Sequence, residues 1–258
     1  MARPLAVNRH DRIREQIEAA GSATVGSLAA ELGVSRETIR RDLKLLADRQ
    51  ELDIVHGGAT RRAGTEPGPA RRLAPQPGDN SAGRAAIAQA AANLVTDGMV
   101  VLLDCGPTAR LVAEALTGRQ RLTVITNSLA NALLLTRVPG FRVVMLGGEI
   151  DAVDESSVGI DTMDMLRNYR VDIAFLCAGG LTADGQPTDT CRLWAEQRQR
   201  MIKAAKRAYF MVDSSVFERE TPVRINGIEA ATGIIVDTPP SRQLSQAVFD
   251  RGFDMLVA

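Results

Sequence analysis

The sequence predicts an α/β protein in two parts, an N-terminal winged helix-turn-helix followed by a larger domain built on a parallel β-sheet. Three observations carry this expectation. Residues 35–59, SRETIRRDLKLLADRQELDIVHGGA, read as a capped cationic helix running into a β-hairpin. Beyond residue 84, short apolar or β-branched runs alternate with segments of helical length. Between the two lies a stretch dense in proline and glycine.

The helix begins at its cap. Ser35 can accept hydrogen bonds from first-turn amides, and Val34 with Ile39 forms a hydrophobic staple. Ile39, Leu43 and Leu46 fall at i, i+4 and i+7 and make one apolar stripe. Arg36, Thr38, Arg40, Arg41 and Lys44 are left on the remaining circumference, which gives the helix a buried back and a cationic front. Upstream, Ile13 and Ile17 mark a first helix ended by Gly21, and Thr24 caps a second that carries Leu28 and Leu32 and stops at Gly33. Only Val34 separates that stop from the Ser35 cap. Such a tight junction predicts a helix-turn-helix whose second member enters the major groove.

Residues 52–55 alternate like a strand, and His56-Gly57-Gly58 supplies turn residues that tolerate positive φ. Ala59-Thr60-Arg61-Arg62 then leads away, giving a wing with two arginines at its exit. A lone arginine pair on a helix is ordinarily a solvated face. Here cap, staple, stripe, turn and wing agree on DNA.

A chain of 258 residues is longer than one DNA-binding module needs, and the rest suffices for a sizeable core. Residues 1–72 hold 13 Lys or Arg against 10 Asp or Glu, and the remainder 18 against 21, although the whole sums to zero. A mildly basic head on a mildly acidic body fits nucleic-acid binding at one end. Pro67, Pro69, Pro75 and Pro77 with Gly64, Gly68, Gly78 and Gly83 favour an extended linker. The expected boundaries are therefore a winged domain over 1–62, a linker over 63–83 and a sensing domain over 84–258. No secretory signal follows Met1 and the apolar runs are too short to span a bilayer, so a cytoplasmic location is expected. Cys105, Cys177 and Cys191 are odd in number and widely spaced, against a disulfide framework or a zinc site. Neither a metal nor another cofactor is expected.

In the body, strands are expected at 99–104, 122–126, 142–146, 172–176, 208–212, 233–236 and 254–257. Helices are expected at 85–94, 108–116 and 191–206. Continuous apolar strands separated by helices predict a parallel sheet covered on both faces. In such a sheet the ligand crevice lies beyond the carboxyl ends of the strands. Small polar residues gather at those ends: Asp104-Cys105-Gly106-Pro107-Thr108, Thr126-Asn127-Ser128, Gly147-Gly148-Glu149 and Asp213-Ser214-Ser215. Strand-to-helix turns use these residues for conformational reasons too, but four after separate strands favour a pocket.

SRETIRRDLKLL followed by VHGGA resembles the N-terminal domain of the DeoR family of bacterial transcriptional regulators, and the turns of the body resemble that family's sensor domain. The resemblance covers nearly the whole chain outside the linker. It implies a sensor fold similar to ribose-phosphate isomerases and CoA transferases, with a phosphorylated sugar or related metabolite as effector. It also implies effector contacts from Asp104, Gly106, Thr108, Thr126, Asn127, Gly147, Gly148, Asp213 and Ser214. The chain departs from the pattern twice. Val216 stands where the family has a lysine after Asp-Ser-Ser, and Pro107-Thr108 where it tends to have two hydroxyl residues. Losing an ammonium from an anion site forfeits on the order of 1.5–3 kcal/mol, about tenfold to a hundredfold in affinity. Arg110, Arg192 and Arg198 could replace it but are expected on solvated helix faces, while Trp194 is expected to pack and Cys105 to be a half-buried core residue.

The expected function is a DNA-binding regulator, a repressor of carbohydrate-metabolism genes as the resemblance implies. Ser35, Arg36, Thr38, Arg40 and Arg41 would face the major groove, His56 would sit at the wing turn, and Lys44, Arg61 and Arg62 would hold phosphates. One small module buries little surface, so a homodimer or tetramer on operator DNA is expected. The rival is a sugar-phosphate isomerase-like enzyme on the same scaffold, with Asp104 or Glu149 as base. Against it, the large domain carries no histidine, and only Lys203 and Lys206 as lysines.

Overall fold

The computed structural model describes residues 6–20, 22–48, 52–55, 58–60 and 80–258, and the chain divides into two compact units, Met1–Gly68 and Pro69–Ala258. His56, Arg61, Arg62 and residues 63–79 of the expected linker lie outside the described residues.

The first unit runs α1 (Ala6–Ala20), β1 (Ser22–Thr24), α2 (Val25–Leu32), α3 (Arg36–Asp48), β2 (Asp53–Val55) and β3 (Gly58–Thr60). Thr24 caps α2 reciprocally with Ser27, and Gly33 ends it at φ 64°, a left-handed conformation that glycine adopts without strain. The core is the expected stripe of α3, Ile39, Leu43 and Leu46, closed by Ile13 and Ile17 of α1 and by Leu28 and Leu32 of α2. β3 pairs antiparallel with β2 and, on its other side, with β1. β1 was not expected, because Ser-Ala-Thr carries no apolar alternation of its own.

The second unit opens with α4 (Ser81–Asn93), β4 (Val100–Leu103), α5 (Pro107–Leu116), β5 (Thr123–Thr126), α6 (Leu129–Leu135) and β6 (Arg142–Met145). A hairpin of β7 (Glu149–Asp151) and β8 (Ser156–Val158) leads to α7 (Ile160–Leu166) and β9 (Val171–Cys177). Then come β10 (Gly180–Leu181), β11 (Pro187–Asp189), α8 (Arg192–Ala204), β12 (Ala205–Val212), β13 (Val223–Arg224), β14 (Gly233–Val236), α9 (Arg242–Asp250) and β15 (Asp254–Val257). The seven expected strands form one sheet in the order β15-β14-β12-β9-β4-β5-β6, every pair parallel.

Alternate residues of these strands feed two cores. Val101, Leu103, Val124, Phe175 and Ile235 face α4 and α5, while Leu102, Ile125, Leu176, Phe210 and Ile234 face α8 and α9. Period-two alternation with helices on both faces explains why the strands read as unbroken apolar runs. From β4 the chain winds through β5 to β6, returns to β9 on the other side of β4, then winds outward through β12 to β15. The carboxyl ends of β4 and β9 thus flank the switch point where such sheets hold ligands.

Two boundaries differ from expectation by three residues or more. α4 begins at Ser81 rather than residue 85, so residues 81–83 are helical and not linker. Asn80 caps it by accepting from the Gly83 amide at 2.9 Å, and a Cβ on Gly83 would come within 2.6 Å of Asn80 and Asp237. That glycine serves close approach instead of a turn. β12 takes over Ala205 and Lys206, which were expected to end the preceding helix.

Candidate functional site

Ser35 caps α3, its hydroxyl oxygen accepting from the Thr38 amide at 3.1 Å and lying 2.8 Å from the Thr38 hydroxyl. Arg36, Arg40, Arg41 and Lys44 are exposed on the side away from the stripe, and Thr38 is half-buried. Arg40 and Arg41 are 66 % and 81 % exposed and each lies only 3.7 Å from Glu37, loose contacts that leave both guanidinium groups available. The back of α3 holds a residue the sequence reading passed over. Asp42 is buried, accepting from Arg9 Nε at 2.8 Å and Nη2 at 3.0 Å, with His10 Nε2 at 2.9 Å, which fastens α1 to α3. Burial pushes the Asp42 carboxyl up, but the bonds from Arg9 and His10 outweigh it and hold the group below the usual carboxylate range.

In the second unit, Asp104 follows β4 and is wholly buried. Its Oδ1 accepts from the Cys105 amide at 2.8 Å, and its Oδ2 accepts from the Cys177 amide at 3.0 Å and Arg198 Nε at 2.7 Å. One carboxylate therefore ties the ends of β4 and β9 to α8. Arg198 also gives Nη1 to Asp189, itself buried at the end of β11. Its guanidinium lies over the Trp194 ring, 5.5 Å from the centroid, a cation–π contact. The expectation of a solvated Arg198 is thus overturned, because two carboxylates and a ring compensate its burial. A sequence signal existed: Trp194, Arg198 and Met201 recur at i, i+4 and i+7 on the buried face of α8. Arg192 bonds Glu196 on an exposed face, as expected, whereas Arg110 bonds Glu114 but is half-buried and also donates Nη1 to the Ala130 carbonyl at 2.8 Å.

Gly106 precedes α5 at φ 104°, with Thr108 buried in the first turn. Thr126 is fully buried and its hydroxyl oxygen accepts from the Ser128 amide at 3.1 Å. Asn127 is fully buried with neither amide atom bonded among the described residues. The other expected residues form separate groups. Gly147 accepts from the Thr162 hydroxyl at 2.6 Å, and a Cβ on Gly148, at φ 136°, would stand 2.2 Å from the same oxygen. Asp213 accepts from Arg84 Nε at 3.2 Å, while the Ser214 amide and hydroxyl both donate to Asp237. These contacts join the β12 turn to α4 and the end of β14.

The sequence reading also missed the hairpin that covers Asn127. The Ser157 amide donates to the Asn127 carbonyl at 2.7 Å, and Gln197 Nε2 to the Ser157 carbonyl at 3.4 Å. Ser156, Ser157, Gln197 and Asn131 are buried as well, each with an unpartnered side-chain oxygen among the described residues. Leaving one buried polar atom unpartnered costs about 1–3 kcal/mol, so native proteins hold few of them. Cys105 is fully buried instead of half-buried. Burial and the nearby Asp104 push its thiol well up, and push Cys177 up to about 12, so both stay protonated at neutral pH.

Residues 9–63 match the model of the DeoR-like helix-turn-helix domain, and residues 79–238 that of the DeoR C terminal sensor domain. Head and body together define the class, a helix-turn-helix protein with a sensor domain on a parallel α/β sheet. The chain belongs to the DeoR family. It is 28 % identical over 243 residues to the glycerol-3-phosphate regulon repressor of Escherichia coli (strain K12), covering 94 % of this chain and 95 % of that one. With the protein of the same name from Haemophilus influenzae it shares 32 % over 220 residues, 84 % of each chain. Among solved structures, ribose 5-phosphate isomerase A from Methanocaldococcus jannaschii aligns over 52 % of this chain and 53 % of that one, at 24 % identity and TM-score 0.38.

Proposed function

We propose that this protein is a cytoplasmic transcriptional repressor of carbohydrate-metabolism genes that binds operator DNA as a symmetric oligomer and responds to a sugar phosphate or related sugar metabolite. The observation that carries the DNA half is the capped α3, apolar behind and cationic in front. Arg36, Thr38, Arg40 and Arg41 read base edges in the major groove beside Ser35, while Lys44, His56, Arg61 and Arg62 position the backbone. The effector contacts the carboxyl ends of β4 and β5 through the turns holding Asp104, Gly106, Thr108, Thr126 and Asn127, with Gly147, Gly148, Asp213 and Ser214 shaping the rim. The names of the two relatives, both repressors of a glycerol-3-phosphate regulon, support repression and a phosphorylated polyol-type signal.

The protein performs no catalysis on this reading. Asp104 is already engaged by two amides and a guanidinium, which leaves it a poor general base. Lys206 is tied to Asp172, at the amino end of β9 and away from the crevice. RNA sequencing of a strain lacking the gene tests the proposal. Repression predicts increased transcripts from carbohydrate operons, and an unchanged or lowered set contradicts it.

A further inference from the structure

The seven-stranded sheet ends at β15, whose outer side pairs with no strand among the described residues. β15 runs parallel to β14, with Asp254 opposite Gly233 and Val257 opposite Val236. The Asp254 amide donates to the Thr232 carbonyl at 3.0 Å, and the Ala258 amide to the Val236 carbonyl at 2.9 Å. Peptide groups alternate in direction along a strand, so Asp254, Leu256 and Ala258 turn theirs towards β14. Met255 and Val257 therefore point their N–H and C=O groups off the sheet. The side chains are open too, with Leu256 36 % and Val257 45 % exposed.

An apolar edge is a template for another strand, and soluble proteins ordinarily blunt theirs with lysine, proline or a bulge. Asp254-Met255-Leu256-Val257 has neither lysine nor proline and keeps unbroken register with β14. The opposite edge, β6, starts with the exposed Arg142, and its Val143, Val144 and Met145 are half-buried.

A second copy of β15 complements this edge. With two such strands antiparallel about a two-fold axis at Leu256, Met255 of each faces Val257 of the other. Each of these pairs exchanges two N–H···O=C bonds, so the outward groups of both residues are all satisfied. Leu256 meets its own counterpart on one face, and Met255 covers Val257 on the other. Asp254 falls opposite Ala258, which keeps the two carboxylates apart. A strand of four residues buries too little alone, since stable interfaces take roughly 1,200–2,000 Å². α4 and α9 pack against β15, so joining the edges also brings the helix layers of the two copies side by side.

We infer that β15 is a dimerisation strand, pairing antiparallel with β15 of a second copy about a two-fold axis at Leu256 to form one continuous sheet. The inference rests on the reading of the protein as a symmetric oligomer and names the surface on which two copies meet. Such a contact is self-complementary and closes at two copies, whereas β15 on β6 would propagate without end.

Sedimentation equilibrium of the full chain and oxidative cross-linking test it. Wild type is expected to be a dimer or an even multiple of one. Leu256→Lys sets two ammonium groups against each other across the axis, and should halve the mass with unchanged far-ultraviolet circular dichroism. Leu256→Cys places two thiols at a Cα separation of about 4.5 Å, within the roughly 4.4–6.8 Å that a disulfide spans. Mild oxidation should convert it to a covalent dimer on a non-reducing gel. Asp254→Cys, about 13 Å from its counterpart in this register, should not cross-link, and neither should wild type. Should Leu256→Lys lose its fold, the two cysteine variants decide. Unchanged mass in a folded Leu256→Lys, no cross-link in Leu256→Cys, or equal cross-linking in Asp254→Cys would overturn the inference and leave the oligomer assembled elsewhere. A wild type that is monomeric at every concentration would contradict both.

Discussion

Arg198 Nε lies 2.7 Å from Asp104 Oδ2, with the two side chains 6 % and 0 % exposed. The pair joins α8 to the ends of β4 and β9, where the sheet reverses its winding, and Asp189 holds the guanidinium from the other side. Desolvating these charges is repaid only while all the partners are present. Arg198→Met should therefore destabilise the protein by about 3–5 kcal/mol, the usual result of leaving a buried charge uncompensated. Arg198→Lys should recover only part, since an ammonium cannot match the planar fork that spans two carboxylates. Urea unfolding followed by the fluorescence of Trp194 measures both, and a loss below about 1 kcal/mol for Arg198→Met would remove the pair from the account.

The Asp42 cluster predicts acid sensitivity in the first unit. Its folded pKa is lowered, so the stabilisation is fully present above the unfolded carboxyl value, about 3.9. It is lost as pH falls through the folded value. Amide protection factors in α1 and α3, taken relative to the intrinsic exchange rate at each pH, should fall over that acidic range in wild type, and Asp42→Asn should show low protection already at neutral pH with little further change. Equal acid dependence in both proteins would assign the effect to other groups.

Ser35 supplies an oxygen to an otherwise unpaired first-turn amide of α3. Ser35→Ala is expected to cost about 0.5–2 kcal/mol and Ser35→Gly only a few tenths. Faster amide exchange at Thr38 in the alanine variant checks this, and unchanged protection would mean that the cap does not hold the helix start.

Much of this architecture is legible in the sequence for reasons that can be named. Gly233–Val236 is found where expected because a strand covered on both faces leaves an apolar run, and Asp254–Val257, though largely exposed at the sheet edge, is found by its own short apolar run. Asp104 and Asn127 stand out because they follow such runs directly. The Asp104–Arg198 pair is not legible in that way, since its members lie 94 positions apart and meet only when β4, β9 and α8 assemble. Ser156 and Ser157 were hidden for a related reason. Each is an ordinary loop residue by type, and only the return of β8 over the β5 turn buries it.

In the proposed function the cationic front of α3 reads duplex DNA. It is tested most directly by fluorescence anisotropy of the full chain on a duplex selected from random DNA, over a series of salt concentrations. Lys44→Ala should weaken all sequences alike and lower the salt slope by about 1. Arg40→Ala and Arg41→Ala should each cost about 1–3 kcal/mol and relax the sequence preference. Wild-type affinity, slope and preference in all three variants would contradict the account.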